Sequence, residues 1–317
     1  VLSSVFPPLV PVILCIALGF AIARVGWVRP GAIADLSNIV FLVLTPALLF
    51  RTMGRVRLQE LDFAPVLLYF AAAGALFAAT LARGGLNAPT AARALAHTFS
   101  NTVMIGVPFV GLVYGPEGLV VLFTLVSLHA LVLLTAATLV FELVQARAPA
   151  PDEQGQAPPR ARRVWQAVKS SIVHPVPLPI LAGLLFAQTG LPLPGVLDRV
   201  LEVLGSALGP MALLLVGITL AYTRVGRHWR GALRIALVKN VAMPLVLAAL
   251  AWALGFSGLA MAVMLTAAAM PVGANVLLFT QRYGVMQDEV SSAIAISTGL
   301  ALLTLPLALI AAQGFTR

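Results

Sequence analysis

The chain runs to 317 residues and is 60% hydrophobic and only 10% charged, with a mean hydropathy of +1.01, whereas soluble domains average about 45–50% apolar and about 25% charged residues. That balance excludes soluble enzymes and nucleic-acid binders and describes an integral membrane protein, with room for around ten spans of about 20 residues and no sizeable soluble domain. The net charge of +9 is read first as the cationic loops that orient such proteins, so nucleic acid is not an expected partner.

The first apolar run, 5–24, holds the single cysteine, Cys15, which leaves no intrachain disulfide, CxxC pair or thiolate metal cluster. The chain opens on valine, so an initiator methionine is expected to be missing. No basic segment precedes the run, which therefore reads as a true span and not a cleaved signal. Further spans follow at 33–53, 63–83, 92–114 and 117–144, then at 170–190, 199–222, 232–253, 258–281 and 288–313. Between the fifth and sixth lies the long polar segment 145–169, with Pro149, Pro151, Pro158, Pro159 and the cluster Arg160, Arg162, Arg163. It divides the chain into a first five-helix unit at 1–146, a linker at 147–168 and a second unit at 169–317. An odd number of spans in each unit inverts the second relative to the first, the plan of many secondary transporters. Thr45-Pro46-Ala47-Leu48-Leu49 in the second span faces Gly209-Pro210-Met211-Ala212-Leu213 in the seventh, and the fourth and ninth spans each carry a mid-span proline and end in Tyr-Gly.

Loop charge gives the expected orientation. Only Arg51, Arg55, Arg57, Arg199 and Arg317 fall on the side of the termini; the rest of the 20 basic residues, a threefold excess, lie opposite. By the positive-inside rule the linker is cytoplasmic and both termini are outside. The Arg160 to Arg163 cluster could hold anionic lipid head groups, although the topological signal accounts for it.

The fourth span reads Asn101-Thr-Val-Met-Ile-Gly106-Val-Pro108 and the ninth Met270-Pro271-Val-Gly273-Ala-Asn275. Proline removes a backbone donor and glycine adds freedom, so both helices are expected to break there. A break in lipid requires protein or a wet cavity around it. With Pro108 and Pro271 at first helical positions, each would open a second half-helix whose N-terminus carries about +0.5 charge. Two such ends make an anion site, with Asn101, Gly106, Pro108, Pro271, Gly273 and Asn275 as its candidate residues. Among ionisable residues, His129 lies midway along the fifth span and Lys239 within the eighth, and these are the candidate charge or coupling sites. Snorkelling to the interface competes for Lys239, and a neutral interhelical hydrogen bond competes for His129. No carboxylate sits mid-span, which removes acidic proton relays and sodium cages. Asn38 is a further candidate contact; Asn240 and Gln188 read better as interhelical hydrogen-bonding residues. Gly205-x-x-x-Gly209 allows close helix approach, either at a dimer seam or inside one chain. No catalytic, cofactor or metal-ligating constellation is present, so no enzyme activity and no cofactor are expected.

The run from Asn101 to Pro108, continuing to Tyr114-Gly115, resembles the auxin efflux carrier family, which includes plant PIN carriers and bacterial permeases. Leu9-Val10-Pro11, the segment 38–50, Leu208-Gly209-Pro210-Met211-Ala212 and the segment from Met270 to Tyr283-Gly284 are similar to it as well. The resemblance covers nearly the whole chain. It implies an all-α membrane fold of ten helices in a 5+5 inverted repeat, with the fourth and ninth crossing at their breaks and an anion held beside the crossing. It also implies a scaffold of spans 1, 2, 6 and 7, usually as a homodimer, and an elevator-like transport domain of spans 3–5 and 8–10. Asn275 matches the bacterial branch, and His129 stands where plant members carry glutamine, which favours a small carboxylate over an auxin-like substrate. A secondary carrier of small organic anions in a bacterial inner membrane is the expectation. A sodium-coupled bile-acid-like carrier and an anion channel or membrane receptor are its alternatives.

Overall fold

The computed structural model describes residues 2–145 and 176–315, so the linker expected at 147–168, its arginine cluster and the start of the sixth span lie outside the described residues. Among the described residues the fold is all-helical, with eleven α-helices and no sheet. In chain order they are α1 (Leu2–Arg24), α2 (Ala32–Met53), α3 (Ala64–Gly84), α4 (Ala88–Thr98), α5 (Val107–Gln145), α6 (Pro177–Gln188), α7 (Gly195–Tyr222), α8 (Trp229–Ala253), α9 (Leu259–Ala269), α10 (Asn275–Tyr283) and α11 (Gln287–Gln313). Five-residue π-helical turns widen α2 at Val40–Leu44 and α8 at Val238–Ala242, and a third, Thr102–Gly106, leads into α5.

Ten spans become eleven helices for two local reasons. Both expected breaks are real interruptions, between α4 and α5 and between α9 and α10. The expected boundary between the fourth and fifth spans is softer: α5 runs on through it, bent where Gly115 takes φ 65°, ψ −159° ahead of Pro116, a conformation open to glycine because it lacks Cβ. Six helical stretches are long and apolar enough to cross a membrane, the longest being Thr102–Phe141, and Leu9–Arg24, Pro177–Gln188 and Leu259–Ala269 are shorter apolar helices. The outer rim is greasy, with Trp252 82% exposed, as lipid-facing and interfacial positions demand.

Hydrocarbon supplies no hydrophobic drive between helices, so close backbone approach has to hold them together. Along α1 and α7, a Cβ on Gly19 would fall 2.1 Å from the Leu214 carbonyl oxygen, and one on Gly217 would fall 2.0 Å from that of Ile16. Gly205 of the GxxxG motif sits against Leu48 of α2, and Gly209 faces Pro108 of α5. The motif is therefore spent on packing inside the chain. At one end of this group Arg51 of α2 and Arg55, in the turn just after it, hold Asp198 of α7 at 2.9 and 2.6 Å. The half-helices α4 and α9 are built from small residues and sit deepest: every residue from Met261 to Ala269 is buried. A helix apolar all round belongs inside, and this placement brings the two breaks to the interior.

Candidate functional site

At the first break α4 gives out into Phe99, at φ −82°, ψ 108°. Asn101 restarts the helix as its N-cap: Oδ1 accepts the Met104 N–H at 3.2 Å, and the main-chain carbonyl accepts the Gly106 N–H at 3.1 Å. A capping side chain of this kind satisfies a donor that a helix start otherwise leaves open. The restart then passes through the π-helical turn Thr102–Gly106. Pro108 consequently does not open the second half-helix, contrary to the sequence expectation. It is buried, the second residue of α5, packed toward α7.

At the second break Met270 is held extended, at φ −60°, ψ 149°, as the residue before a proline must be to avoid the ring. Pro271 thus closes α9 instead of opening α10. The following half-helix begins at Asn275 without a side-chain cap.

The two extended segments meet as a single antiparallel bridge between Ser100 and Val272. The Asn101 N–H donates to the Pro271 carbonyl at 2.8 Å and the Gly273 N–H to the Phe99 carbonyl at 3.0 Å. Each break in this way supplies the backbone partner that the other lost, which lets non-helical chain exist at such depth. The approach leaves no room for a side chain: a Cβ on Gly273 would lie 2.7 Å from Phe99 Cδ1 and 3.0 Å from the Ser100 carbonyl oxygen.

Neighbouring helices pin this pair. From α5, His129 Nε2 accepts the Ser100 N–H at 3.4 Å, and the Tyr69 hydroxyl of α3 lies 2.9 Å from Ser100 Oγ and 3.2 Å from the same imidazole nitrogen. Accepting from an amide requires a bare Nε2, which places the ring proton on Nδ1. On the other break, Ser297 Oγ of α11 accepts the Val272 N–H at 3.1 Å, and Asn240 Nδ2 of α8 donates to the Ser297 carbonyl at 2.8 Å. Lys239, fully buried, donates from Nζ to the carbonyls of Ala268 and Met270 at 2.6 and 2.7 Å. It does not snorkel.

A pocket of about 50 Å³ opens beside the bridge. Asn101, Thr102 and Val103 line it from one break, Gly273, Ala274 and Asn275 from the other, His129 and Val126 from α5, and Phe41 and Pro177 from α2 and α6. No Asp, Glu, Lys or Arg lines it among the described residues. Among the described residues the main-chain N–H groups of Val103, Ala274 and Asn275 have no backbone acceptor. Helix starts of this kind, with open donors and partial positive charge, suit an anion.

Of the candidates named from the sequence, Asn101, His129, Gly273 and Asn275 therefore line one cavity, while Gly106, Pro108 and Pro271 are buried in the same segments and do not line it. Lys239 lies beneath the second break. Asn38 is exposed on α2 and does not line the pocket, which Phe41 reaches instead. Sequence reasoning missed Tyr69, Ser100 and Ser297. The signal for Tyr69 was present: one of only four tyrosines, it puts a hydroxyl in mid-span, where an unpaired polar group is costly.

The family model described as membrane transport protein matches residues 4–309. A protein described as an uncharacterized transporter, from Methanothermobacter thermautotrophicus, is 25% identical over 303 residues, which span 93% of this chain and 94% of that protein. A multi-pass helical protein with paired helix breaks is in keeping with both. The chain belongs to the membrane transport protein family, the auxin efflux carrier family that its motifs resemble, which is a family of transporters and not of enzymes.

Proposed function

We propose that the protein is a secondary carrier of small organic anions, carboxylates above all, bound at the crossing of the two breaks. The observation that carries this reading is the convergence of two helix starts, their open N–H groups and the amides of Asn101 and Asn275 on one pocket free of carboxylates. A pocket of about 50 Å³ has space for a few water molecules and fits a small carboxylate better than an aromatic or steroidal one. In this reading the eleven helices are ten spans in a 5+5 inverted repeat, broken and crossed at the fourth and ninth. The pocket lies between α2 and α6 on one side and the broken helices on the other, where an elevator motion of spans 3–5 and 8–10 against spans 1, 2, 6 and 7 would carry it across. The loop charges support a cytoplasmic linker with both termini outside, the family type supports a bacterial inner membrane, and the scaffold spans would pair as a homodimer.

Purified protein in liposomes tests the function directly. A panel of mono- and dicarboxylates, read first by thermal shift and then by radiolabelled uptake, should include at least one that stabilises the protein and enters saturably, with uptake accelerated by the same anion inside. Flux without saturation or trans-stimulation would make the protein a channel. Binding without flux would make it a receptor.

A further inference from the structure

We propose that the Lys239 ammonium occupies, as part of the chain itself, a binding site for a monovalent cation at the C-terminal end of α9, so that the carrier takes its anion without a coupling sodium ion. The proposal rests on the anion-carrier reading and extends it to the coupling ion.

A half-helix that stops inside a membrane protein leaves its last carbonyls without amide partners and gathers about −0.5 charge there. In broken-helix transporters such carbonyl ends are where sodium ions bind. Here α9 stops at Ala269, and the Ala268 and Met270 carbonyls converge on one cation, Lys239 Nζ, at 2.6 and 2.7 Å. The side chain is fully buried, and a buried charge persists only where it is paired. The carbonyl pair is that partner, since Lys239 has no carboxylate within ion-pair distance among the described residues. The local backbone is built for this. Neighbouring residues of an α-helix point about 100° apart, yet Lys239 and Asn240 are both buried, because the π-helical turn Val238–Ala242 widens α8 at this point. Lys239 turns to the α9 carbonyls, and Asn240 turns to Ser297.

The consequence for the pocket is electrostatic. Met270 directly precedes Pro271, whose carbonyl joins the bridge, and Gly273 lines the pocket. Bare carbonyls at this point would set a negative end beside an incoming anion. The tethered ammonium cancels that end and leaves the helix starts as the net field. A free sodium ion could do the same, but the lysine is always present and involves no second binding step.

The test compares wild type with Lys239→Ala, purified without substrate, in sodium chloride, in choline chloride and in ethylammonium chloride. Wild type should melt at the same temperature in all three. Lys239→Ala should melt lower in choline, and sodium or ethylammonium, entering the vacated site, should return part of the loss in a saturable way. Sodium-dependent stabilisation of the wild type would overturn the proposal, and so would a Lys239→Ala protein as stable as wild type in choline. Should Lys239→Ala fail to fold in every salt, Lys239→Met keeps the volume and removes the charge. A tenfold or larger loss of anion affinity in Lys239→Met supports the proposal, and wild-type affinity overturns it. Because the melting comparison uses no organic anion and holds chloride constant, it stands even if the substrate class is mistaken.

Discussion

At the first break the chain is held by neutral groups, with the Tyr69 hydroxyl and the His129 imidazole on Ser100 and the Asn101 side chain closing the new helix over Met104. At the second break it is held by a buried cation on two carbonyls and by the Ser297 hydroxyl on the Val272 amide, and the new helix starts without a side-chain cap. Both segments do the same work, ending one half-helix and aiming the start of another at the pocket. The difference shows that two elements that do the same work need share only the backbone path. The side chains that stabilise that path are free to diverge, and here the divergence gives the crossing a buried lysine on one side and a buried histidine on the other.

The glycines should separate the two breaks most sharply. A Cβ at position 273 would be driven into the Phe99 ring and the Ser100 carbonyl oxygen, whereas one at position 106 meets nothing nearer than 3.5 Å. Gly273→Ala should therefore cost about 1–3 kcal/mol, the usual range for overpacking, and should reduce uptake at least tenfold by prying the segments apart. Gly106→Ala should stay close to wild type in melting temperature and uptake. Equal damage from the two substitutions would mean that the bridge does not hold the breaks together.

Prolines come next. Pro271 contributes a bridge carbonyl and forces Met270 out of helical geometry, whereas Pro108 is already inside α5. Pro271→Ala would let α9 continue and draw the free N–H groups of α10 into ordinary helical bonds, so its transport rate should fall by about tenfold, equivalent to roughly 1.4 kcal/mol in the barrier. Pro108→Ala, whose ring packs toward α7, should lose stability before it loses transport. Uptake assays on both variants, normalised to folded protein, check the order.

These contrasts also mark how far the sequence reached. Apolar run length located the long apolar helices, six of them long enough to cross a membrane, because a bilayer imposes a length that composition reports directly. Paired Pro, Gly and Asn located the breaks, because those residues act on the backbone at their own positions. What failed to show was anything set by a partner elsewhere in the chain. Pro108 looks like a helix opener until Asn101 is seen to cap the helix a turn earlier, through a π-helical turn that no spacing announces. Lys239 reads equally as a snorkelling residue until α9 brings carbonyls to it. Asn38 has the right chemistry but faces away. Tyr69 and Ser297 are unremarkable in sequence, and they matter because of the chain segments they meet.

The asparagines should show a smaller asymmetry. Asn101→Ala removes a helix cap, worth about 1 kcal/mol, together with the proposed anion contact, so it should lower both melting temperature and anion affinity. Asn275 caps nothing, and Asn275→Ala should weaken affinity alone, by the about 0.5–1.5 kcal/mol of one neutral hydrogen bond. Isothermal titration with the best anion, set beside melting curves, separates the two effects. A stability loss in Asn275→Ala equal to that in Asn101→Ala would erase the distinction between a capped and an uncapped start.

The smallest expected effect belongs to the titratable ring of the first break. His129 Nε2 accepts the Ser100 N–H, and a proton on that nitrogen would cost this bond, so the ring that holds the bridge is neutral. An anion in the pocket that the ring lines reverses the balance, because a neighbouring negative charge favours the protonated imidazole. If the anion raises proton affinity, the proton must raise anion affinity by the same factor. The sign is then fixed: affinity should improve as pH falls through the range where a histidine titrates, near pH ~6.5 when unperturbed. The loss of the Ser100 bond opposes the gain, which keeps the expected change to a few-fold. His129→Gln retains an acceptor for the Ser100 amide and cannot take up the proton, so it should bind the anion with a nearly flat pH profile while leaving the bridge intact. Dissociation constants measured for both proteins from about pH 5.5 to about pH 8 decide the matter. A profile that is flat in the wild type, or sloped equally in the variant, would reduce His129 to a neutral acceptor that holds the first break as Ser297 holds the second.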